Sequence, residues 1–452
     1  MAARAPRVSA ATAMDITTTG FAPQVAVVGL WHLGSVTAAS LASVGIATVG
    51  YDPQSDVVVA LSRGEPPLFE PGLSELVVAG TASGLLQFSS EPASVSAAPV
   101  VWIAWDTPVD DEDRADVDFV LRGVEGLFPH LHDEALVIVS SQVPVGSVAR
   151  LEQAYRAACP GGRVSFASSP ENLRLGKAIE VFTRPDRIVM GVRTPRDAER
   201  ITALLAPLPA PIEFMRVESA ELSKHAINAF LATSVAFINE LARLAERSGG
   251  DAREVERALK TDVRIGPRAY VKPGGAYAGG TLARDIGYLI ARGQAVGTST
   301  PFFEGVRSSN DVHRAWALEA LERAFPDLAG VKVTVLGLTY KPGTDTLRRS
   351  SSVELCAGLL GRGVAVTAFD PMVTRASADL PAGVTLAADP TSALADADAV
   401  VVATEWPEFR TLDADALSAG RADTLVLDAS GFLAKALQGD TRVRYVMVGT
   451  AE

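Results

Sequence analysis

Two glycines in the segment Gly29–Gly34 have the spacing of a turn that binds the phosphates of a dinucleotide. Glycines in such a turn permit a tight bend, close approach of a pyrophosphate and close packing of a helix. Trp31 occupies the middle glycine position, so the phosphates must be approached differently or be shielded by the indole. Asp52 ends a second apolar run, where a carboxylate would bind both ribose hydroxyls, and no arginine follows it directly, which favours NAD over NADP. We therefore expect NAD to contact Gly29, Trp31, Leu33, Gly34 and Asp52.

The elements that must position this turn are short apolar strands that alternate with helices. Gln24–Gly29 is typical of a buried parallel strand, and a helical pattern follows from Leu33 to Val44. The alternation continues to about Ala167 and resumes at Val331. Such alternation predicts doubly wound parallel sheets. We therefore predict an α/β fold with two Rossmann-like domains; the alternative for the turn itself is a strand–turn–helix that needs glycine only for its geometry.

A long amphipathic segment separates the two alternating regions. From about Ser219 to Ser248 the apolar residues recur at helical spacing, which predicts one helix of about thirty residues, long for a globular domain. A helix of this length often links domains or builds a dimer interface. We predict a flexible tail over residues 1–22, an NAD-binding domain over 23–212, a helical domain over 213–325 and a C-terminal Rossmann-like domain over 326–452.

The composition is that of an ordinary globular chain of 452 residues, with 48% hydrophobic and 21% charged residues. A formal net charge of -12 argues against nucleic acid as a main partner. No uninterrupted apolar run is long enough to span a membrane. The two cysteines, Cys159 and Cys356, form no disulfide framework, which fits a reducing cytoplasm. No metal site is predicted.

Further motifs occur in an order and spacing that chance does not explain. They are Leu68–Leu73, Thr107-Pro108, Ser141–Gly146, Ser169–Arg174, Glu221–Asn228, Asn239-Glu240, Asp262–Gly266, Pro273–Asp285 and Gly337–Arg348. With these motifs the chain resembles the UDP-glucose/GDP-mannose dehydrogenase family over about residues 23 to 435. The resemblance implies two Rossmann-like domains around a long central helix, dimers formed through the middle domain, NAD as cofactor and a nucleotide-linked hexose as substrate. Members of the family typically oxidise the C6 alcohol of the sugar twice, the second time through a thioester on a cysteine thiolate.

The resemblance assigns catalytic roles to polar residues in these motifs. Glu171 matches a glutamate that helps to manage protons and water, as a carboxylate beside the reacting carbon could do. Lys224 matches the catalytic lysine, and Asn228 lies one helical turn further on the same face, so the two could hold a developing oxyanion. Asp285 matches an aspartate that assists proton transfer, whereas His225 is expected to be structural. The alternatives are a helix-start acid for Glu171 and a solvated helix face for Lys224 and Asn228.

Other matches concern binding. Arg264 and Tyr270 match residues that touch the sugar or its phosphates, and in the family the arginine reaches into the neighbouring subunit's site. Gly274 and Gly279 lie in a glycine-rich loop whose backbone amides could approach phosphate or sugar oxygens. Lys341 matches a lysine that contacts the substrate across the domain cleft. The remaining expected contacts are Leu173 with the substrate, and Thr107, Gln142 and Arg348 with the cofactor.

The main departure from the family pattern is Thr281, which stands at the position of the cysteine nucleophile. A threonine hydroxyl is a poor nucleophile without a strong base, so the second oxidation is not expected to follow the thioester route. Gln142 replaces a threonine that lies near the catalytic water in relatives, Leu175 stands where a second acid is frequent, and Ser430 falls near an arginine position. The residues for hydride transfer are kept, and those for acyl transfer are lost.

Three functions are compatible with this pattern. The first is a dehydrogenase that stops after one two-electron step, or makes a slow second step through a hydrated aldehyde. The second is a redox-neutral epimerase, in which NAD takes a hydride from a carbinol and returns it to the other face. The third is a non-catalytic nucleotide-sugar-binding protein, against which Glu171, Lys224, Asn228 and Asp285 argue. We favour the first, in a cytoplasmic homodimer.

Overall fold

The computed structural model describes residues 21–108, 115–171, 173–277, 280–375, 377–437 and 439–450. Almost all of the predicted tail, residues 1–22, lies outside the described residues. Contacts divide the chain into two compact units, the first ending at Lys224 and the second beginning at His225. Among the described residues, no helix is both long enough and apolar enough to cross a membrane.

The first unit alternates short strands with helices. Its strands are β1 (Val25–Val28), β2 (Thr48–Tyr51), β3 (Leu86–Ser89), β4 (Val100–Ile103), β5 (Leu136–Val139), β6 (Ser165–Ser168), β7 (Ile188–Gly191) and β8 (Ile212–Met215). Its helices are α1 (His32–Ser43), α2 (Ser55–Ser62), α3 (Leu73–Ala82), α4 (Val117–Leu127), α5 (Ser147–Ala158), α6 (Ala178–Thr183) and α7 (Pro195–Leu205), and α8 (Val217–Ser248) begins in it.

These strands form one eight-stranded sheet in the order β3-β2-β1-β4-β5-β6-β7-β8. All neighbours are parallel except β6 and β7, which meet antiparallel through the pair Ser168 and Gly191. Along β1, Val25 and Val27 pack into one apolar cluster with α1, whereas Ala26 and Val28 pack into another with α4. Helices therefore cover both faces of the sheet, and burying each valine of β1 contributes about 1.5–3 kcal/mol.

The second unit begins with the remainder of α8 and four further helices. These are α9 (Ala252–Thr261), α10 (Gly280–Ala295), α11 (Pro301–Arg314) and α12 (Trp316–Ala324). A second alternating region follows, with strands β9 (Lys332–Leu336), β10 (Ala365–Phe369), β11 (Thr385–Leu386), β12 (Ala399–Val402), β13 (Thr424–Asp428) and β14 (Val443–Val446) and helices α13 (Ser351–Leu360), α14 (Pro390–Leu394), α15 (Ala414–Ser418) and α16 (Ala434–Leu437). The strands form a parallel sheet in the order β11-β10-β9-β12-β13-β14.

The two doubly wound sheets and the long helix were predicted from the alternation and the helical spacing. The helix α8 has 32 residues and begins two residues before the predicted start at Ser219. The antiparallel strand β7 was not predicted. The compact units divide within α8, so the four domain boundaries given above stay a prediction.

Candidate functional site

The glycine turn lies at the carboxyl end of β1. Gly29 has a φ of +87°, in the left-handed region that favours glycine. A Cβ atom on Gly29 would lie 2.4 Å from the Trp105 ring, and a Cβ on Gly34 would lie 1.6 Å from the Gly29 carbonyl oxygen. Helix α1 can therefore pack onto the turn only because both positions lack a side chain.

Asp52 is held beside this turn, directly after β2. Its Oδ2 accepts a 2.8 Å hydrogen bond from the backbone N–H of Leu30, and its Oδ1 accepts a 2.9 Å bond from that of Gln54. A carboxylate has about four lone-pair sites, so Asp52 keeps acceptor capacity for ribose hydroxyls. The turn and the fixed acid together fit the dinucleotide that the sequence predicts.

Trp31 and Leu33 lie at the start of α1, on either side of His32. Trp31 is the residue that caps this helix, and 50% of it is exposed. Leu33 is buried and lines a small pocket together with Glu171 and Leu173. The N–H groups at a helix N-terminus attract phosphate, so the dinucleotide phosphates are expected at the start of α1. The indole of Trp31 lies at this same end of the helix.

The second unit repeats the turn but uses its acid differently. Gly337 has a φ of +92°, and Asp370, directly after β10, accepts a 2.7 Å hydrogen bond from the N–H of Leu338. The Trp406 Nε1–H also donates to Asp370, at 2.9 Å, so this buried carboxylate is held by a side chain of its own unit. Among the described residues, Asp52 accepts only backbone donors, which makes it the acid suited to a ligand.

Thr107 and Gln142 meet at the carboxyl ends of β4 and β5. The Thr107 hydroxyl donates a 2.7 Å hydrogen bond to the carbonyl oxygen of Gln142. In an open parallel sheet, ligands bind where the strand order reverses, which here is between β1 and β4. The structure thus brings these two predicted cofactor residues together at the expected end of the sheet.

Glu171 and Lys224 form an ion pair within the first unit. The Lys224 Nζ lies 3.5 Å from Glu171 Oε1, and both side chains are largely buried. Glu171 Oε2 also accepts a 2.7 Å hydrogen bond from the backbone N–H of Leu173. Two of the predicted catalytic residues and one predicted substrate residue are therefore in direct contact.

Asp285 is the centre of a buried polar cluster in the second unit. Its side chain is 0% exposed, Oδ1 lies 3.0 Å from His225 Nδ1, and Oδ2 accepts a short hydrogen bond from the Asn228 amide. The Tyr288 ring packs edge-on against the His225 ring, with centroids 5.1 Å apart. Asp285 and Asn228 were predicted to serve the site, but the direct bond between Asp285 and His225 was not predicted.

Thr281 lies in the first turn of α10, one helical turn before Asp285, and is exposed. Neither thiol of the chain is near it in sequence. Cys159 follows α5 in the first unit, and Cys356 is fully buried in α13, where burial raises the pKa of its thiol to about 12. A thiol with that pKa stays protonated and unreactive near neutral pH.

A cleft lies in the second unit beside β12. Lys341 lines this cleft, and its Nζ lies 5.2 Å from the centroid of the Tyr340 ring. Gly274 precedes the cleft residue Gly275 and is fixed from two sides. Its N–H donates to Asn239 Oδ1 at 3.0 Å, and its carbonyl oxygen accepts a 2.8 Å bond from His313 Nε2.

The other predicted binding residues are placed outside these clusters. Arg264 is exposed and forms an ion pair of 2.7 Å with Asp262, and Tyr270 is exposed as well. Arg348 is exposed in the segment that precedes α13. Gly279 lies outside the described residues.

Comparison with known proteins gives one family. Residues 23–209 match the NAD binding domain of the UDP-glucose/GDP-mannose dehydrogenase family, residues 218–312 match its central domain, and residues 334–435 match its UDP binding domain. The chain is 36% identical over 434 residues to a UDP-glucose 6-dehydrogenase of Rhizobium meliloti, a match that covers 94% of this chain and 99% of the relative. It is 33% identical over 441 residues to a UDP-glucose 6-dehydrogenase of Pseudomonas aeruginosa, covering 94% and 97%. A solved UDP-glucose dehydrogenase from Pyrobaculum islandicum is similar with a TM-score of 0.81 at 32% identity, covering 97% of this chain and 100% of that chain.

The chain belongs to the UDP-glucose/GDP-mannose dehydrogenase family. The resemblance on which the sequence analysis rested is therefore confirmed, together with the α/β fold, the N-terminal Rossmann domain, the helical central domain and the C-terminal UDP binding domain. The cofactor is NAD, and the substrate class is a nucleotide sugar.

One contact between ionisable side chains, His32 and Glu70, was not predicted from the sequence. His32 Nε2 lies 3.0 Å from Glu70 Oε2, and the Glu70 carboxylate also accepts 2.8 Å bonds from the N–H groups of Gly176 and Ala178. Burial alone would raise the pKa of Glu70, but these hydrogen bonds hold it below its ordinary value. Glu70 lies in the Leu68–Leu73 motif, so a buried role for its carboxylate could have been sought there.

Proposed function

We propose that this member of the family transfers a hydride from a CH–OH group of a UDP-glucose-like nucleotide hexose to NAD, without the cysteine thioester step that leads to the acid. The single observation that carries the proposal is Thr281, exposed at the start of α10 in the position of the nucleophile. The buried thiol of Cys356, with its pKa of about 12, supports it because this group does not supply a thiolate.

The residues kept in the first unit suit hydride transfer. NAD supplies the hydride acceptor when it is bound beside Gly29, Gly34 and Asp52. Lys224 is positioned by Glu171, whose Oε1 lies 3.5 Å from its Nζ, and the ammonium group of the lysine stabilises the alkoxide that develops on the sugar oxygen. We assign the proton and water handling near this pair to Glu171, which is fixed by the N–H of Leu173.

Asp285 has a supporting role in this proposal. Both of its oxygens are bonded within the protein, to His225 and to Asn228, and its side chain is fully buried. It therefore positions the Asn228 amide rather than touching the sugar. We retain Arg264, Tyr270, Gly274, Gly279 and Lys341 as substrate contacts and Thr107, Gln142 and Arg348 as cofactor contacts.

The test is incubation of the purified protein with NAD and a panel of nucleotide hexoses, followed by absorbance at the NADH band and mass spectrometry of the sugar. We expect NADH to accumulate with at least one sugar whose product has lost two hydrogen atoms. A stereoisomer formed without NADH would instead establish an epimerase. If no sugar is changed, the result would favour a non-catalytic nucleotide-sugar-binding protein.

We also propose that the protein is a homodimer and acts in the cytoplasm. On α8, Phe230, Phe237 and Leu244 follow each other at seven-residue spacing and are 70%, 49% and 60% exposed. An apolar seam with a seven-residue repeat is the pattern by which helices pair. Two free cysteines fit a reducing compartment.

Substitution of Phe237→Glu tests the dimer, because it places a charge in the middle of this seam. We expect the variant to sediment as a monomer at a concentration where the wild type sediments as a dimer. Glu254→Gln, an exposed change on α9, serves as control and should stay dimeric. A wild type that is monomeric at every concentration would refute the assembly.

A further inference from the structure

Asp106 lies at the place in the first sheet where the order of the strands reverses. It follows β4, the strand that pairs with β1 on the side away from β2. In open parallel sheets the crevice at this reversal receives the ligand. Asp106 is exposed there.

The backbone on each side of Asp106 is anchored. Trp105 fills the space beside Gly29 and Gly123, where added Cβ atoms would lie 2.4 Å and 2.8 Å from its ring. Thr107 is tied to the loop after β5 by its 2.7 Å hydrogen bond to the Gln142 carbonyl. The backbone at Asp106 is therefore held by packing on one side and by a hydrogen bond on the other.

Two charged side chains act on Asp106, one from each neighbouring element. His32 is the first residue of α1, and Glu171 follows β6. Although Asp106 is exposed, the protein packed around it partly desolvates its carboxyl group and raises the pKa to about 6; His32 opposes the rise, and repulsion from Glu171 adds to it. A carboxylate poised near neutral pH is suited to accept a proton during a reaction.

Two nearby acids, Glu171 and Glu70, have side-chain partners in the protein. Glu171 is paired with Lys224 and bonded to Leu173, and Glu70 is bonded to His32. In the described part of the chain, no hydrogen bond or ion pair engages the Asp106 carboxylate. Among the described residues, Asp106 is thus an exposed carboxylate that can accept a proton at this end of the sheet.

We propose that Asp106 accepts the hydroxyl proton of the nucleotide sugar during oxidation, an inference that rests on the function proposed above. The carbinol C–H bond breaks and its electron pair leaves as hydride to NAD. The O–H bond breaks, its proton passes to the Asp106 carboxylate, and its electrons form the carbonyl bond. The products are a carbonyl sugar, NADH and a protonated Asp106, which returns its proton to water.

The experiment compares wild type, Asp106→Asn and Asp118→Asn, an exposed acid of α4 that serves as matched control. Single-turnover NADH formation is measured from pH 5 to pH 8.5. We expect the wild-type rate to rise with pH and level off above about pH 6. Asp106→Asn should lose this rise and be slower by about 10²- to 10⁴-fold, whereas Asp118→Asn should follow the wild type. Asp106→Glu should recover part of the rate.

A second readout does not depend on turnover. In protein labelled with ¹³C at its aspartate carboxyl carbons, the NMR signal that is missing from Asp106→Asn should titrate near pH 6. NAD affinity should differ from wild type by less than about threefold. If the wild type is active and Asp106→Asn has the same rate and pH profile, the role of Asp106 is overturned but the proposed function is not. The role is also overturned if the wild-type NMR signal that is absent from Asp106→Asn titrates below pH 5. A wild type that forms no NADH from any sugar overturns the proposed function itself.

Discussion

At the scale of single residues, four ionisable side chains of the first unit are held in two pairs. Glu171 and Lys224 neutralise each other in a largely buried pair, and His32 and Glu70 form a second pair. These pairings join residues far apart in the chain, such as Glu171 and Lys224, and residue type alone does not predict them. The sequence predicted functional roles for Glu171 and Lys224, but it gave no signal for Asp106.

Replacing the lysine of the first pair tests its assignment. Lys224→Ala removes the cation from the developing alkoxide and leaves Glu171 without its partner, so we expect the single-turnover rate to fall by at least about 10²-fold. Lys177→Ala, an exposed change in the same unit, should retain the wild-type rate. Hydride transfer at the wild-type rate in Lys224→Ala would remove the lysine from the mechanism.

The raised pKa of Asp106 also has a consequence for stability. The folded protein binds this proton up to about pH 6, whereas an unfolded aspartate releases it near pH 3.9. The carboxylate therefore lowers stability as pH rises through this interval. We expect Asp106→Asn to melt at a higher temperature than wild type at pH 7, and the difference to shrink at pH 4. A variant that melts lower than wild type at pH 7 would contradict this.

At the scale of elements, the spacing of apolar residues predicts which segments form helices and which face of each helix is buried. Helix α8 was expected from Ser219 to Ser248 and runs from Val217 to Ser248, because its apolar residues recur at helical spacing. The contact of His225 with Asp285 could not be predicted from helical spacing. It joins α8 to α10 across 60 positions of the chain, and the helical pattern sets only which face a residue occupies.

The docking of α1 on β1 gives a prediction at this scale. In Gly34→Ala the new Cβ would lie 1.6 Å from the Gly29 carbonyl oxygen, so α1 must shift away from the turn. We expect loss of NAD binding of at least about tenfold together with a lower melting temperature. Gly126→Ala is the matched control, since nothing lies within 4 Å of its Cβ in α4. It should keep NAD affinity and gain about 0.5–1 kcal/mol of stability.

At the scale of the whole molecule, the chain keeps the NAD binding, central and UDP binding domains of the family. The inner parallel strands of both sheets could be predicted because each is a short apolar run between helices, whereas the edge strands β3, β8, β11 and β14 were not predicted. The strand β7 could not, since a one-pair antiparallel contact leaves no period in the sequence. The NAD turn in the first unit, together with threonine at position 281 in the second unit, is the basis of the proposed single oxidation.

Restoring the thiol tests this interpretation. In Thr281→Cys a thiolate becomes available at the start of α10, and we expect acid to form from the sugar that the wild type oxidises only once. Thr281→Ser keeps a hydroxyl at the same place and should behave as wild type. If Thr281→Cys forms no acid, the surrounding proton-handling groups have changed as well, and position 281 alone does not limit the reaction.

The most direct measurement is the number of NADH molecules formed per nucleotide sugar consumed by the wild-type protein, with the mass of the sugar product determined in the same sample. We predict one NADH per sugar and a product lighter by two hydrogen atoms, with no carboxylate. Two NADH per sugar together with a uronic acid would contradict the loss of the second oxidation.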